Sequence, residues 1–389
     1  MIKNITKDIR YIGVDDSEMQ LFESQYHTPD GMCYNSYLIF DEKVAILDTT
    51  DSRTLDAWKE NLREGLDGKQ PDYLIVHHLE PDHASGIAEV AALYPNLTIV
   101  CTAKAKQMLP LYFDDDKLAE RILAVKEGDT LSLGSHTLRF IPAPMVHWPE
   151  VMASYDEADK VLFSADAFGK FGTYDADADD WACEARRYYF NICGKYGQPV
   201  STLLKKVTAF DIQHICPLHG PVLEGAALAE AVRLYSIWSA YDVETEGVFI
   251  AYASIHGNTA AAAQCLAGIL KEKGCPKVAV SDLCRDDMHE AIEDAFRFGR
   301  MICMASSYDA GVFPPMYDFL HHLEIKAYQR RRVALVENGS WAPSAAKTMR
   351  GLLEGMKAVD IVEPVVTLRG RLKDADRPQL EALAEAILA

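Results

Sequence analysis

The segment His77-His78-Leu79-Glu80-Pro81-Asp82-His83 puts four metal-ligating side chains, His78, Glu80, Asp82 and His83, within six residues. It follows the apolar run Tyr73-Leu74-Ile75-Val76, and the carboxyl end of a buried strand is where open sheets expose functional groups. In an extended loop residues i and i+2 share a side. His78 and Glu80 can therefore grip one ion while Asp82 and His83 reach a second. One His beside an acid usually reads as a solvated polar pair; four such residues behind one apolar strand read as a metal site.

Three later positions repeat that grammar of apolar strand and then ligand. His147 sits in Pro144-Met145-Val146-His147-Trp148-Pro149, after Leu138-Arg139-Phe140-Ile141. Asp166 follows Val161-Leu162-Phe163-Ser164-Ala165, and His219 lies in Cys216-Pro217-Leu218-His219-Gly220-Pro221. Alone, each reads as a hydrogen-bonded structural residue. Together, and in this order, they complete a site.

A second chemistry is written in Ala253-Ser254-Ile255-His256-Gly257-Asn258-Thr259, between the strand-like run Val248–Tyr252 and an Ala-rich helical stretch. Small and hydroxyl residues at a helix N-terminus let backbone N–H groups and Ser/Thr hydroxyls surround a phosphate. The loop has no Lys or Arg, so dipoles alone would neutralise one monophosphate. It lacks the patterns that cradle a nucleoside triphosphate or a dinucleotide.

These loops need elements to hold them. Up to about residue 245 the strand-like runs come in pairs across polar turns: Tyr37–Phe40 with Val44–Leu47, and Val151–Tyr155 with Val161–Ser164. They predict antiparallel hairpins, interrupted by helices over Thr54–Glu64 and Gly86–Leu93, in a layered fold of sheets flanked by helices. After Glu246, apolar runs at Val248–Tyr252, Val278–Val280, Met301–Ala305, Val333–Val336 and Ile361–Val366 alternate with helical segments. Those segments run over about Ala260–Lys273, Met288–Phe298, Met316–Tyr328, Ala345–Met356 and Gln379–Leu388. Five such units predict a doubly wound parallel sheet of five strands. The boundary is expected at Asp242–Gly247, giving a domain over 1–245 and a second over 246–389.

Composition narrows the class. The chain has 389 residues and a net charge of −19, which leaves no basic footprint for nucleic acid. No apolar run approaches the 18 residues that would span a bilayer. The start carries no signal-peptide core. Nine Cys without a C-x-x-C pair argue against a disulfide framework and against a four-cysteine metal site. The expectation is a reduced, cytoplasmic protein with neither a nucleic-acid nor a membrane partner.

The ligand spacing resembles the metallo-β-lactamase fold, and specifically its diiron branch, the flavodiiron proteins (A-type flavoproteins). Zinc hydrolases of that fold carry H-x-H-x-D-H where this chain has His78, Glu80, Asp82 and His83. Glu80 adds a hard, anionic oxygen, which moves preference toward iron or manganese. The resemblance implies that His78, Glu80 and His147 hold the iron nearer the flavin. It gives Asp82, His83 and His219 the distal iron, with Asp166 bridging the two. Two Fe(II) ions, three carboxylates and one bridging hydroxide make a neutral cluster with a position open to a small molecule, the mark of a catalytic metal site. His77, His136 and His214 match no ligand position and read as structural. The resemblance also puts a His over the diiron pocket, for which His27 is the candidate, and a Tyr beside it, for which Tyr188 and Tyr189 are.

The phosphate loop is similar to that of flavodoxins, with Ser254, His256, Gly257, Asn258 and Thr259 facing FMN. Ser306, Ser307, Tyr308, Asp309, Ala310 and Gly311 resemble the loop holding one side of the flavin ring. Ser340 and Trp341 resemble the loop on the other side, where Pro343 removes a backbone donor. The fold implied is an αββα metallo-β-lactamase-like sandwich followed by a flavodoxin-like five-stranded parallel sheet. The activity implied is passage of electrons from FMN to a non-haem diiron site that reduces O2 to water and/or NO to N2O. Without paired Cys for a fused rubredoxin, the expected donor is a separate rubredoxin or a reduced flavin carrier, and the expected assembly is a head-to-tail homodimer. The rival readings are a zinc-dependent hydrolase with a flavodoxin-like appendage, and a non-catalytic flavin electron carrier.

Overall fold

The computed structural model describes residues 2–114, 116–176 and 180–389. The chain folds as two units, one of Met1–Tyr189 with Tyr196–Ser236, the other of Phe190–Lys195 with Ile237–Ala389.

In the first unit two sheets face each other. The seven-stranded sheet runs in the order Lys3–Asn4, Ile9–Tyr11, Tyr37–Phe40, Val44–Leu47, Tyr73–Ile75, Thr98–Thr102, Ile122–Val125. The six-stranded sheet runs in the order Thr130–Ser132, Thr137–Pro142, Met152–Asp156, Val161–Phe163, His214–Cys216, Leu223–Glu224. Side chains alternate across a strand, and one parity from each sheet fills the space between. Tyr37, Ile39, Ala45 and Leu47 meet Leu138, Phe140, Met152 and Phe163 in one buried cluster. The opposite parity faces a helix: a Cβ on Gly65, within the helix Leu55–Leu66, would touch Ile12 and Leu38. The hairpin 37–40/44–47 has the predicted bounds; the other starts one residue later, at Met152.

Strand direction explains why distant residues share one edge. Thr137–Pro142 and Met152–Asp156 are antiparallel, as are Met152–Asp156 and Val161–Phe163, so two reversals restore the original direction. Val161–Phe163 and His214–Cys216 are parallel. The loops carrying His147, Asp166 and His219 therefore leave the same edge of the six-stranded sheet. In the other sheet Val44–Leu47 and Tyr73–Ile75 are parallel neighbours, which sets Asp48 and Thr49 beside the His77–His83 loop.

The second unit is the five-stranded parallel sheet expected, in the order Val278–Asp282, Thr245–Ala253, Phe298–Tyr308, Arg332–Asn338, Asp360–Leu368. Counted along the chain this order is 2-1-3-4-5, whose switch point lies between the first and third strands. Helices over Asn258–Glu272, Met288–Arg297, Pro314–Ile325, Ala345–Glu354 and Arg377–Leu388 fill the predicted connections. Among the described residues no helix is long and apolar enough to cross a membrane.

Candidate functional site

The seven candidate ligands from the loops converge as two groups that share one carboxylate. Nε2 of His78 and Nε2 of His147 lie 3.1 and 3.0 Å from Glu80 Oε2, and 3.4 and 3.2 Å from Asp166 Oδ2. On the other side, Nε2 of His83 and of His219 lie 3.2 and 3.3 Å from Asp82 Oδ2, and 3.3 and 3.9 Å from Asp166 Oδ1. Asp166 thus gives one oxygen to each group. Atoms bound about 2.1 Å from one ion stand roughly 3 Å apart, and these spacings match that.

Each candidate is placed by local chemistry. Pro81 opens the short helix Pro81–Ala84 that carries Asp82 and His83. The hydroxyl of Thr49 donates to the His83 carbonyl at 2.7 Å and accepts from Gly86 N at 3.1 Å. His219 donates from Nδ1 to the Cys33 carbonyl at 2.7 Å, which leaves its Nε2 lone pair aimed into the pocket. Phe22, Tyr34 and Tyr188 close around that ring at 5.5–5.9 Å between centroids.

The donor set fits divalent cations. Both oxygens of Asp82 and Oδ1 of Asp166 are buried with no hydrogen-bond partner among the described residues, a costly state for a carboxylate unless a cation compensates. Burial would push the Glu80 carboxyl up, but hydrogen bonds from His147 and His78 outweigh it and hold it at about 2. His147 shows the converse: burial favours the neutral ring, yet Asp166 and Glu80 raise it to about 9. His78 is raised against burial chiefly by Asp166, and His83 chiefly by Asp82. The pocket calls for positive charge between its imidazoles.

Sequence reading missed Glu150. Its side chain is buried, and Oε1 accepts from Nδ1 of His78 at 2.7 Å and from Leu79 N at 3.0 Å. The signal available was an acid beside the His147 loop, immediately before an apolar strand. The structural reading of His77 is matched by a buried chain in which Nδ1 meets Asp48 at 2.5 Å and Nε2 meets the Ser154 hydroxyl at 2.7 Å. His136, Asp156 and Asp159 also gather. There His136 Nδ1 already bonds both Asp156 oxygens, at 3.0 and 3.1 Å, and Asp159 N closes the turn on Asp156 at 2.8 Å. His214 lies 3.2 Å from Glu224. His27 is exposed on the short strand Tyr26–His27, and its carbonyl accepts from Arg187 at 2.8 Å. Of the two tyrosines, Tyr188 abuts His219, while Tyr189 packs edge-on to Tyr235.

At the carboxyl edge of the parallel sheet lies a cavity of about 530 Å³. Ser254, His256, Asn258 and Thr259 line it from the first loop, Ser306 to Ala310 from the second, and Ser340 and Trp341 from the third. Gly257 and Gly311 shape the loops instead of lining the cavity. Gly257 adopts φ +82°, a turn that favours glycine, and Gly311 pairs with Tyr308. Ile255, Asn338, Gly339, Ala342 and Ser344, from the same first and third loops, complete the wall with Gly370, which was not read from sequence. Gly370 follows the fifth strand, and Asn338 ties it in by donating to its carbonyl and accepting from its N–H, both at 2.9 Å.

The cavity suits FMN on its own geometry. The helix Asn258–Glu272 has no side-chain cap, so its first N–H groups remain available to a phosphate. Trp341 is 91% exposed at the rim, a large apolar ring open to a planar ligand. Ser307 Oγ accepts from Ser344 N and Ala345 N, at 2.9 and 3.2 Å, and so holds the third loop in spite of Pro343.

Comparisons with known proteins agree with this architecture. Residues 32–220 match the family model described as ODP family beta lactamase. A protein of Methanocaldococcus jannaschii with no assigned function is 30% identical over 368 residues, 92% of each chain. The anaerobic nitric oxide reductase flavorubredoxin of Salmonella arizonae is 29% identical over 98% of this chain and 79% of its own. The structure of rubredoxin oxygen:oxidoreductase from Desulfovibrio gigas superposes with a TM-score of 0.91 at 25% identity, covering 100% of this chain and 98% of that one. The flavodiiron protein of Giardia intestinalis shares the fold, with a TM-score of 0.92 at 23% identity over 100% and 97% of the two chains. With a metallo-β-lactamase-like unit, a flavodoxin-like unit and full-length relatives of this kind, the chain belongs to the flavodiiron protein family.

Proposed function

We propose that the protein reduces O2 to water, NO to N2O, or both, with electrons delivered by way of FMN to a non-haem iron pair. The observation that carries this reading is Asp166, whose two oxygens face two separate groups of imidazole and carboxylate donors. In this reading His78, Glu80 and His147 would hold one iron and Asp82, His83 and His219 the other, with Asp166 offering one oxygen to each group. Residues 1–245 form the diiron domain and 246–389 the FMN domain. When bound, the irons would supply redox chemistry toward a small gas, and FMN would relay electrons singly.

The chain's own residues do the rest. Phe22, Tyr34 and Tyr188 make an aromatic wall against His219, which suits a small, weakly polar gas and limits water. Glu150 and Cys33 fix which nitrogen of His78 and of His219 faces the pocket, the outer support that metal-binding imidazoles need. Ser254, Asn258 and Thr259 receive the phosphate, and Trp341 covers the ring. A rubredoxin or a reduced flavin carrier is the proposed donor, and a head-to-tail homodimer the proposed assembly.

The test is to measure Fe, Zn, Mn and FMN per chain in the purified protein, then O2 and NO consumption after chemical reduction. Two irons and one FMN per chain, with turnover of either gas, is the expected result. Zinc without flavin would overturn it. Light scattering reports the dimer.

A further inference from the structure

The two halves of the metal site are not supported alike. Behind His78, Glu150 places a carboxylate oxygen 2.7 Å from Nδ1. That carboxylate is buried, and its second oxygen, Oε2, meets no hydrogen-bond partner among the described residues. Its backbone is pinned by the Thr102 hydroxyl, which donates to the Glu150 carbonyl at 2.9 Å. Behind His219, among the described residues, stands the neutral carbonyl of Cys33, at 2.7 Å. Nδ1 of His83 is buried with no partner among the described residues. In the donors that face the pocket the halves are matched, with two imidazoles, one private carboxylate and a share of Asp166 each.

We propose that Glu150 makes the two halves unequal, so that the half built on His78, Glu80 and His147 takes up a divalent cation first and holds it more tightly than the half built on Asp82, His83 and His219. A carboxylate behind an imidazole raises the basicity of the opposite nitrogen. Its charge also acts across a dry interior where screening is weak. A carbonyl orients the ring but adds no net charge. Glu150 touches no substrate and works through His78, so it is a positioning residue. The inference rests on the dinuclear reading above and adds an order of loading to it.

Gln at position 150 isolates the charge. Its Oε1 can accept from His78 Nδ1 and Leu79 N as Glu150 does, so Glu150→Gln keeps the orientation and removes the charge. The full-length protein, stripped with a chelator, is titrated with Mn2+, the free ion being read by its EPR signal. The wild type is expected to bind two ions per chain in two resolved steps. Glu150→Gln is expected to weaken the tighter step about 10- to 100-fold and to leave the weaker step and the circular dichroism spectrum unchanged. A purely orienting role would leave both steps where they are, and would overturn the proposal.

A second arm does not depend on that variant folding. His219→Ala is expected to abolish the weaker step alone, and His147→Ala the tighter step alone; the reverse assignment overturns the proposal. Two equal steps in the wild type would also overturn it while sparing the dinuclear reading. Fewer than two ions per chain would overturn both.

Discussion

The Nε2 atoms of His83 and His219 face each other 3.0 Å apart inside the protein. With Nδ1 of His219 donating to Cys33, its Nε2 carries a lone pair, so the two nitrogens can be held by a cation between them.

Removal of metal should therefore destabilise the fold. An ion present at about a thousand times its Kd adds about 4 kcal/mol. Calorimetry with and without chelator should show the melting temperature fall on stripping and recover on adding Fe(II) under anaerobic conditions. A melting temperature indifferent to chelation would count against a bound ion.

The buried His136–Asp156 pair gives a pH signature away from the metal site. The Asp156 hydrogen bond overcomes burial and raises His136 from 6.5 to about 9. A raised imidazole stabilises fully below its unfolded value and loses that contribution as pH climbs through the folded one. Wild-type stability should therefore decline between about pH 6.5 and 9 by roughly 1–3 kcal/mol, and Asp156→Asn should flatten that decline. Urea melts across this range decide it.

Gly86 is the tightest point in the support of His83. A Cβ there would lie 3.0 Å from Thr49 Cβ and 3.1 Å from Leu55 Cδ1. Gly86→Ala should cost about 1–3 kcal/mol by overpacking and lower the metal content. Full metal content in a variant of normal stability would show that the helix can shift without penalty.

In the flavin cavity, Thr259 and Ser306 share a hydrogen bond of 3.1 Å between hydroxyls. Thr259→Val should weaken FMN binding about tenfold, the loss of roughly one hydrogen bond. It should weaken riboflavin binding much less if, as proposed, Thr259 serves the phosphate. Quenching of flavin fluorescence measures both; equal losses would place Thr259 against the ring instead.

The fold was legible where pattern is local. The alternation after residue 246 gave all five parallel strands, although Phe298–Tyr308 runs three residues further at each end than its apolar centre suggested. Tyr308 and Arg300 are polar or exposed strand residues that an apolar pattern does not mark. The strand Thr98–Thr102 was not read, although its Thr-Ile-Val-Cys-Thr content is strand-like. In the site, strand-end positions singled out the seven residues that the structure gathers. Glu150 was missed although it stands at a strand start, because its partner His78 lies 72 residues away and only the pairing of the two loops in space creates that contact. The cavity wall at Gly370 was missed for a similar reason: nothing in Arg369-Gly370-Arg371 looks like a flavin loop until the fifth strand is seen to end there.

The strand reversals that bring His147, Asp166 and His219 to one edge have a consequence for biogenesis. The segment 78–83 brings two donors to each group, and His147, Asp166 and His219 complete the groups from loops far along the chain. His83 and His219 lie on loops that follow strands of different sheets and come within 3.0 Å of each other only when the sandwich has closed. The complete set of donors for either ion therefore exists only once the first unit has folded. Metal supplied after the first unit has folded should therefore complete the site without new synthesis.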